Sequence, residues 1–128
     1  MVSKISEGVK IMVSTFYQPA YSNPAGGEYM FGYKITMHNF NIYPIQLISR
    51  HWHIFDSNAT ERTVQGEGVI GTQPILKPNE DFEYISGCNL QTEIGKMYGT
   101  YLFKNLHNNK LFSVIIPQFD MVAPAKLN

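Results

Sequence analysis

The chain has a single cysteine, Cys88, in 128 residues. No intrachain disulfide can form, so stability must come from a packed core. Charge of one sign is not in excess either: ten Lys and Arg balance ten Asp and Glu. A protein built around nucleic-acid phosphates or an anionic membrane would carry a basic surplus. No apolar run approaches the ~20 residues of a membrane span. The start, Met1-Val2-Ser3-Lys4-Ile5-Ser6-Glu7, lacks the apolar stretch of a signal peptide. These absences predict a cytoplasmic protein with no nucleic-acid and no membrane partner.

What is present is alternation with a period of two, and almost no helical periodicity. Val9, Ile11, Val13, Thr15 and Tyr17 alternate with Lys10, Met12, Ser14 and Phe16. Pro19, Pro24, Gly26 and Gly27 break this first strand. Tyr29 to Met37, Ile45 to Phe55, Arg62 to Gln65, Phe82 to Ser86, Met97 to Leu106 and Leu111 to Ile116 read as further strands. The pair Asn108-Asn109 suits a hairpin, because asparagine tolerates positive φ. About seven short strands, with turn signals between them, predict an all-β sandwich of antiparallel strands, immunoglobulin-like or fibronectin type III-like. A chain of this length makes one domain, 1–128, with an ordered core over about residues 9–122 and a loose tail from Ala123.

The most conspicuous motif is Gly66-Glu67-Gly68-Val69-Ile70-Gly71, which matches G-x-G-x-x-G. A dinucleotide site requires a helix after such glycines. Thr72-Gln73-Pro74-Ile75-Leu76-Lys77-Pro78 carries two prolines there and forbids one. Two readings remain. The glycines permit tight turns or bulges between strands. Alternatively, backbone N–H groups of Gly66, Glu67, Gly68, Gly71 and Thr72 form a nest for a pyrophosphate or nucleotide.

Other polar groups are weaker candidates. His51 and His53 share one strand face, but two imidazoles fall short of the three or four ligands that zinc takes. His38, Cys88 and His107 complete a set only if the fold gathers them. Asn79-Glu80-Asp81 with Glu83 reads as a polar turn rather than a magnesium site. No metal ligands and no cofactor are therefore assigned. Arg50 has the parity of Ile48, Trp52 and Ile54, so it is a half-buried cation with a structural or a ligand-binding duty beside Trp52. Ser86-Gly87-Cys88-Asn89 matches no nucleophile signature, and no acid–base constellation is visible. A non-catalytic binding domain is expected. Tyr17, Phe40, Tyr43 and Phe119 near strand ends are its candidate contact aromatics.

Several stretches, in order, resemble the ApaG family. Val64-Gln65-Gly66-Glu67-Gly68-Val69-Ile70-Gly71-Thr72-Gln73-Pro74 followed by Pro78 looks like its glycine signature. Arg50-x-Trp52, Tyr84-x-Ser86-Gly87, Gly95-x-Met97-x-Gly99-x-Tyr101 and Pro117-x-Phe119 are similar to its other motifs, so the resemblance runs from about Val9 to Pro124. It implies a fibronectin type III-like sandwich and, for bacterial members, a link to cobalt and magnesium tolerance or efflux. Neighbourhood with a diadenosine tetraphosphate hydrolase gene suggests a phosphate-containing small molecule as ligand. Use of the domain in eukaryotic F-box and polymerase-interacting proteins suggests a protein partner instead. The family supplies no catalytic residues to carry over, and His51 and His53 depart from its Arg-x-Trp surroundings. An exposed edge strand would also let two copies pair as a homodimer.

Overall fold

The computed structural model describes residues 1–124. Among them, nine strands follow in chain order: β1 (Val2–Ser6), β2 (Val9–Tyr17), β3 (Tyr29–Asn39), β4 (Ile45–Asp56), β5 (Glu61–Glu67), β6 (Ile75–Leu76), β7 (Asp81–Leu90), β8 (Ile94–Asn105) and β9 (Leu111–Val122). Every pairing is antiparallel. One sheet has the order β1-β2-β3-β7, the other β5-β4-β8-β9, with β6 extending the β5 side of β4. The two sheets form a sandwich. The only helical turns described are two 3-10 segments, Pro19–Tyr21 and Pro24–Gly26, where the prolines interrupt the alternation.

Alternation places one face of each strand in the core. Val9, Ile11 and Val13 of β2 lie beside Phe31, Tyr33, Ile35 and Met37 of β3 on the inner face of one sheet, all buried. The other sheet contributes Ile45, Leu47, Trp52 and Ile54 of β4, Met97, Tyr101 and Phe103 of β8, and Val114, Ile116, Phe119 and Met121 of β9. Trp52 meets Tyr33, Tyr101 and Phe119 edge-on, at centroid distances of 5.5, 6.3 and 5.9 Å. Contacts of this kind add ~0.5–1.5 kcal/mol each beyond the area they bury.

Two bulges change which residues face inward. In β4 the pairing slips between Leu47 and Ser49, so Ile45 and Leu47 point in before it, and Arg50, Trp52 and Ile54 after it. Ile48 is therefore the extra residue and not a member of Arg50's row, as simple parity had it. In β9 the slip opposite Met97 and Gly99 falls at Pro117, a residue that an edge strand accepts at a bulge.

Both termini differ from the sequence expectation. The ordered structure starts at Val2, because Glu7 and Gly8 adopt positive φ (50° and 73°) and fold β1 back on β2. Ala123 is buried and donates its N–H to the Glu93 carbonyl at 2.8 Å, so the chain is still fixed where a loose tail was expected. The remainder of that expected tail, 125–128, lies outside the described residues.

Candidate binding site

The glycine segment is a strand-turn-strand connection along the edge of β4. Gly68 donates its N–H to the Ile48 carbonyl at 2.8 Å. Val69 and Thr72 exchange two hydrogen bonds, Val69 N–H to Thr72 O at 2.8 Å and Thr72 N–H to Val69 O at 3.0 Å. Between them Ile70 and Gly71 both have positive φ, 47° and 72°, as a type I′ turn requires. Gly68 also has positive φ, and a Cβ there would stand 2.0 Å from the Thr72 carbonyl oxygen. The amide of Gly68 is thus committed to β4, and those of Val69 and Thr72 to the turn.

Arg50 clasps this connection. Its Nη1 donates to the carbonyls of Glu67 (3.1 Å) and Gly68 (2.9 Å). Gly66 pairs with Arg50 across the strands, and a Cβ at Gly66 would lie 2.9 Å from Nη1. Gly66 is therefore the residue that admits the guanidinium. The structure brings Gly66, Glu67 and Gly68 together with Arg50, which the sequence reading kept apart from the glycine segment, and the carbonyls, not the amides, face the cation.

Beside this clasp the two sheets part. A cleft of about 270 Å³ opens between β5 and β7. Tyr33, Trp52, Ile54 and Met97 line it, with Val64 on one lip and Ser86 to Asn89 on the other. Arg50 stands at one end and Arg62 at the other. Arg62 crosses from β5 to the β7 side, donating to the Asn89 carbonyl and, at 3.5 Å, to Cys88 Sγ. Burial pushes the Cys88 thiol up, which leaves it a poor nucleophile at neutral pH even beside Arg62. Deeper in, the Tyr84 and Tyr101 hydroxyls share a hydrogen bond of 2.5 Å. Desolvation raises both phenols, and Tyr33, above the ordinary tyrosine value.

The outer face of the same sheet carries a run of rings. His51 and His53 lie 4.6 Å apart, His53 stacks on Tyr98 at 4.9 Å, and Phe55 stacks on Tyr98 at 5.8 Å. Lys96 Nζ sits 5.2 Å from the centre of the Phe55 ring. All four rings are half-buried by one another. The histidine pair was legible in the sequence; Tyr98 and Phe55 were missed as its neighbours. Only the β4–β8 register, which pairs His53 with Tyr98, brings them together.

The remaining candidates disperse. Among the described residues no group of three or more His, Cys, Asp or Glu is placed to hold a metal ion. Glu80 accepts the Lys77 N–H at 2.6 Å within a turn, Asp81 pairs with His38, and Glu83 lies 3.3 Å from Lys34. Phe119 is buried against Trp52, while Tyr17 packs on Phe31, Phe40 on His38 and Tyr43 beside His107, so the four strand-end aromatics form no common surface. Another depression, about 610 Å³ between β1 and residues 98–100 and 115–118, has Lys4 as its one charged lining residue.

A family model described as ApaG domain matches residues 19–105. The chain belongs to the ApaG family. The matched stretch holds β3 to β8, and with them Arg50, the glycine segment and every residue of the edge cleft. Relatives named Protein ApaG align over nearly the whole length. The one from Agrobacterium fabrum is 37% identical over 124 residues, covering 97% of this chain and 95% of its own. The one from Anaeromyxobacter dehalogenans is 39% identical over 128 residues, the whole of both chains. A crystal structure from Bordetella pertussis, described as ApaA, superposes with a TM-score of 0.87 at 41% identity. It covers 91% of this chain and 94% of that one. The sandwich is thus the ApaG architecture as well as the one the alternation called for.

Proposed function

We propose that this ApaG-domain chain is a non-catalytic binding module that engages a protein partner through the outer face of the β5-β4-β8-β9 sheet. The stack of His51, His53, Tyr98 and Phe55 carries the reading. Rings held on adjacent strands are already ordered, so contact with a partner costs little side-chain entropy. Aromatic side chains are also the usual anchors of protein interfaces. The raised Cys88 thiol and phenols support a non-catalytic role, since none of them is activated as a nucleophile near pH 7. The cytoplasm belongs to the same proposal, because a lone thiol suits a reducing compartment. The cobalt and magnesium association would then be indirect, exerted through the partner.

Photo-crosslinking in the native cell tests this. A benzophenone amino acid at Thr100, which pairs with His51 on the ring face, is compared with one at Thr36 on the opposite sheet. The expected result is a discrete adduct from position 100 alone, abolished by Tyr98→Ala with Phe55→Ala. No adduct, equal adducts from both positions, or an adduct indifferent to ring removal would overturn the proposal.

A further inference from the structure

Among the described residues that line it, the edge cleft holds two cations and no anion. Among the described residues the ion pairs are Lys34–Glu83, His38–Asp81 and His53–Glu61, and neither Arg50 nor Arg62 takes part in one. Asp56, the one carboxylate of β4, accepts from the Gln91 and Thr92 amides and the Thr92 hydroxyl instead. Arg50 makes its two bonds through Nη1, and Arg62 makes its two through Nη2. A guanidinium has five N–H donors in a fork that matches a planar or tetrahedral oxyanion. Each side chain therefore keeps donors beyond those its carbonyl and thiol partners use. Arg50 is half-buried and compensated only by carbonyls, so it gains from a counter-anion because its own hydration is incomplete, whereas Arg62 is exposed and offers its remaining donors from the solvent side.

Shape narrows the ligand. Arg62 pairs with Ile54 and Gly66 with Arg50, so the backbone positions of the two arginines lie four residues apart along the sheet, roughly 13 Å, and both side chains line the cleft between them. Trp52, Tyr33, Ile54 and Met97 give the space between them an apolar floor, with Val64 at its lip. At about 270 Å³ it lies just below the ~300–1,000 Å³ range of ordinary ligand pockets. We infer that the β5/β7 cleft binds a small amphipathic oxyanion, a carboxylate or phosphate ester on a body of one ring or a short chain, through Arg50 and Arg62. A dinucleotide is too large for it. The site is independent of the protein-binding face, which lies on the other side of the same sheet.

Trp52 lines the cleft and is the single tryptophan, so its emission reports occupancy. Phenylacetate, phenyl phosphate and neutral 2-phenylethanol are titrated against the intact chain, with amide shifts followed at Val64 to Gly66 and Ser86 to Asn89. At least one of the two anions is expected to saturate, at millimolar concentration or below, with shifts at both lips. Whichever binds tighter identifies the preferred oxyanion. Arg62→Gln is expected to weaken binding about tenfold, the worth of one charge-assisted contact of ~1.4 kcal/mol. Arg50→Lys, which keeps the charge and loses the fork, provides a second variant should Arg62→Gln disturb the fold. Equal saturation by the neutral alcohol, no saturable response to either anion, or unchanged affinity in a folded arginine variant would overturn the inference.

Discussion

At the β1/β9 edge of the sandwich the two sheets touch, whereas at the β5/β7 edge they stand apart. β1 is a short strand whose Ser6 hydroxyl accepts the Ile115 N–H at 2.9 Å, so a free amide of β9 finds its partner in the other sheet. No charge is involved. Across the molecule Arg62 spans the gap, Arg50 holds the neighbouring connection, and a cleft remains between them. Exposed strand edges must be blunted by one device or another. A neutral hydrogen bond closes an edge and leaves nothing for a ligand, while cations blunt it and keep donors available. The matched family region, residues 19–105, contains the open edge and excludes β1, β2 and β9.

Alkaline pH should break this contrast most strongly. Tyr33 and Cys88 line the open edge and Tyr84 and Tyr101 lie beneath it, all with raised folded pKa values. Above their unfolded values, near 9 for the thiol and 10 for the phenols, the unfolded chain releases protons that the folded chain retains. Stability is therefore whole below pH 9 and falls as pH rises, by about 1.4 kcal/mol per pH unit for each such group. Urea midpoints between pH 8 and 12 would show it, and amide exchange should find the β5/β7 side opening before the β1/β9 side.

Gly68→Ala comes next. Positive φ together with a Cβ 2.0 Å from the Thr72 carbonyl should cost about 3 kcal/mol in chemical denaturation. Gly71→Ala has similar φ but nothing within 4 Å, and about 1 kcal/mol is expected. Arg50→Met removes the donor from two carbonyls and should cost about 2 kcal/mol, with a red shift of Trp52 emission as the clasp loosens. On the closed side, Ser6→Ala should cost about 1 kcal/mol and speed exchange of the Ile115 amide. Equal losses from Arg50→Met and Ser6→Ala would erase the distinction between the edges.

The legible parts of the fold are those where side-chain alternation runs uninterrupted. Val9, Ile11 and Val13, or Phe31 to Met37, announce strand and inward face together. Asn109 adopts the positive φ expected of its hairpin, 61°. Residues at slips and crossings were not legible. A bulge at Ile48 leaves no mark on composition, yet it decides which β4 residues join Arg50 inside. β1 escaped notice because Val2-Ser3-Lys4-Ile5-Ser6 is half polar and its turn, Glu7-Gly8, lacks the usual asparagine or aspartate. β6 was hidden between Pro74 and Pro78. For the site, the sequence singled out Arg50, Trp52 and the glycines. It could not pair Arg62 with Asn89 or His53 with Tyr98, because both contacts depend on registers and sheet stacking between distant segments.

Collisional quenching of Trp52 tests the central asymmetry most directly, with iodide and caesium compared at matched ionic strength. An open edge guarded by two arginines should admit the anion, giving iodide the larger quenching constant, and Arg62→Glu should narrow or reverse the ratio. Trp52 is only 2% exposed, so both constants are small and the ratio is the readout: caesium quenching as strongly as iodide would contradict an electropositive edge.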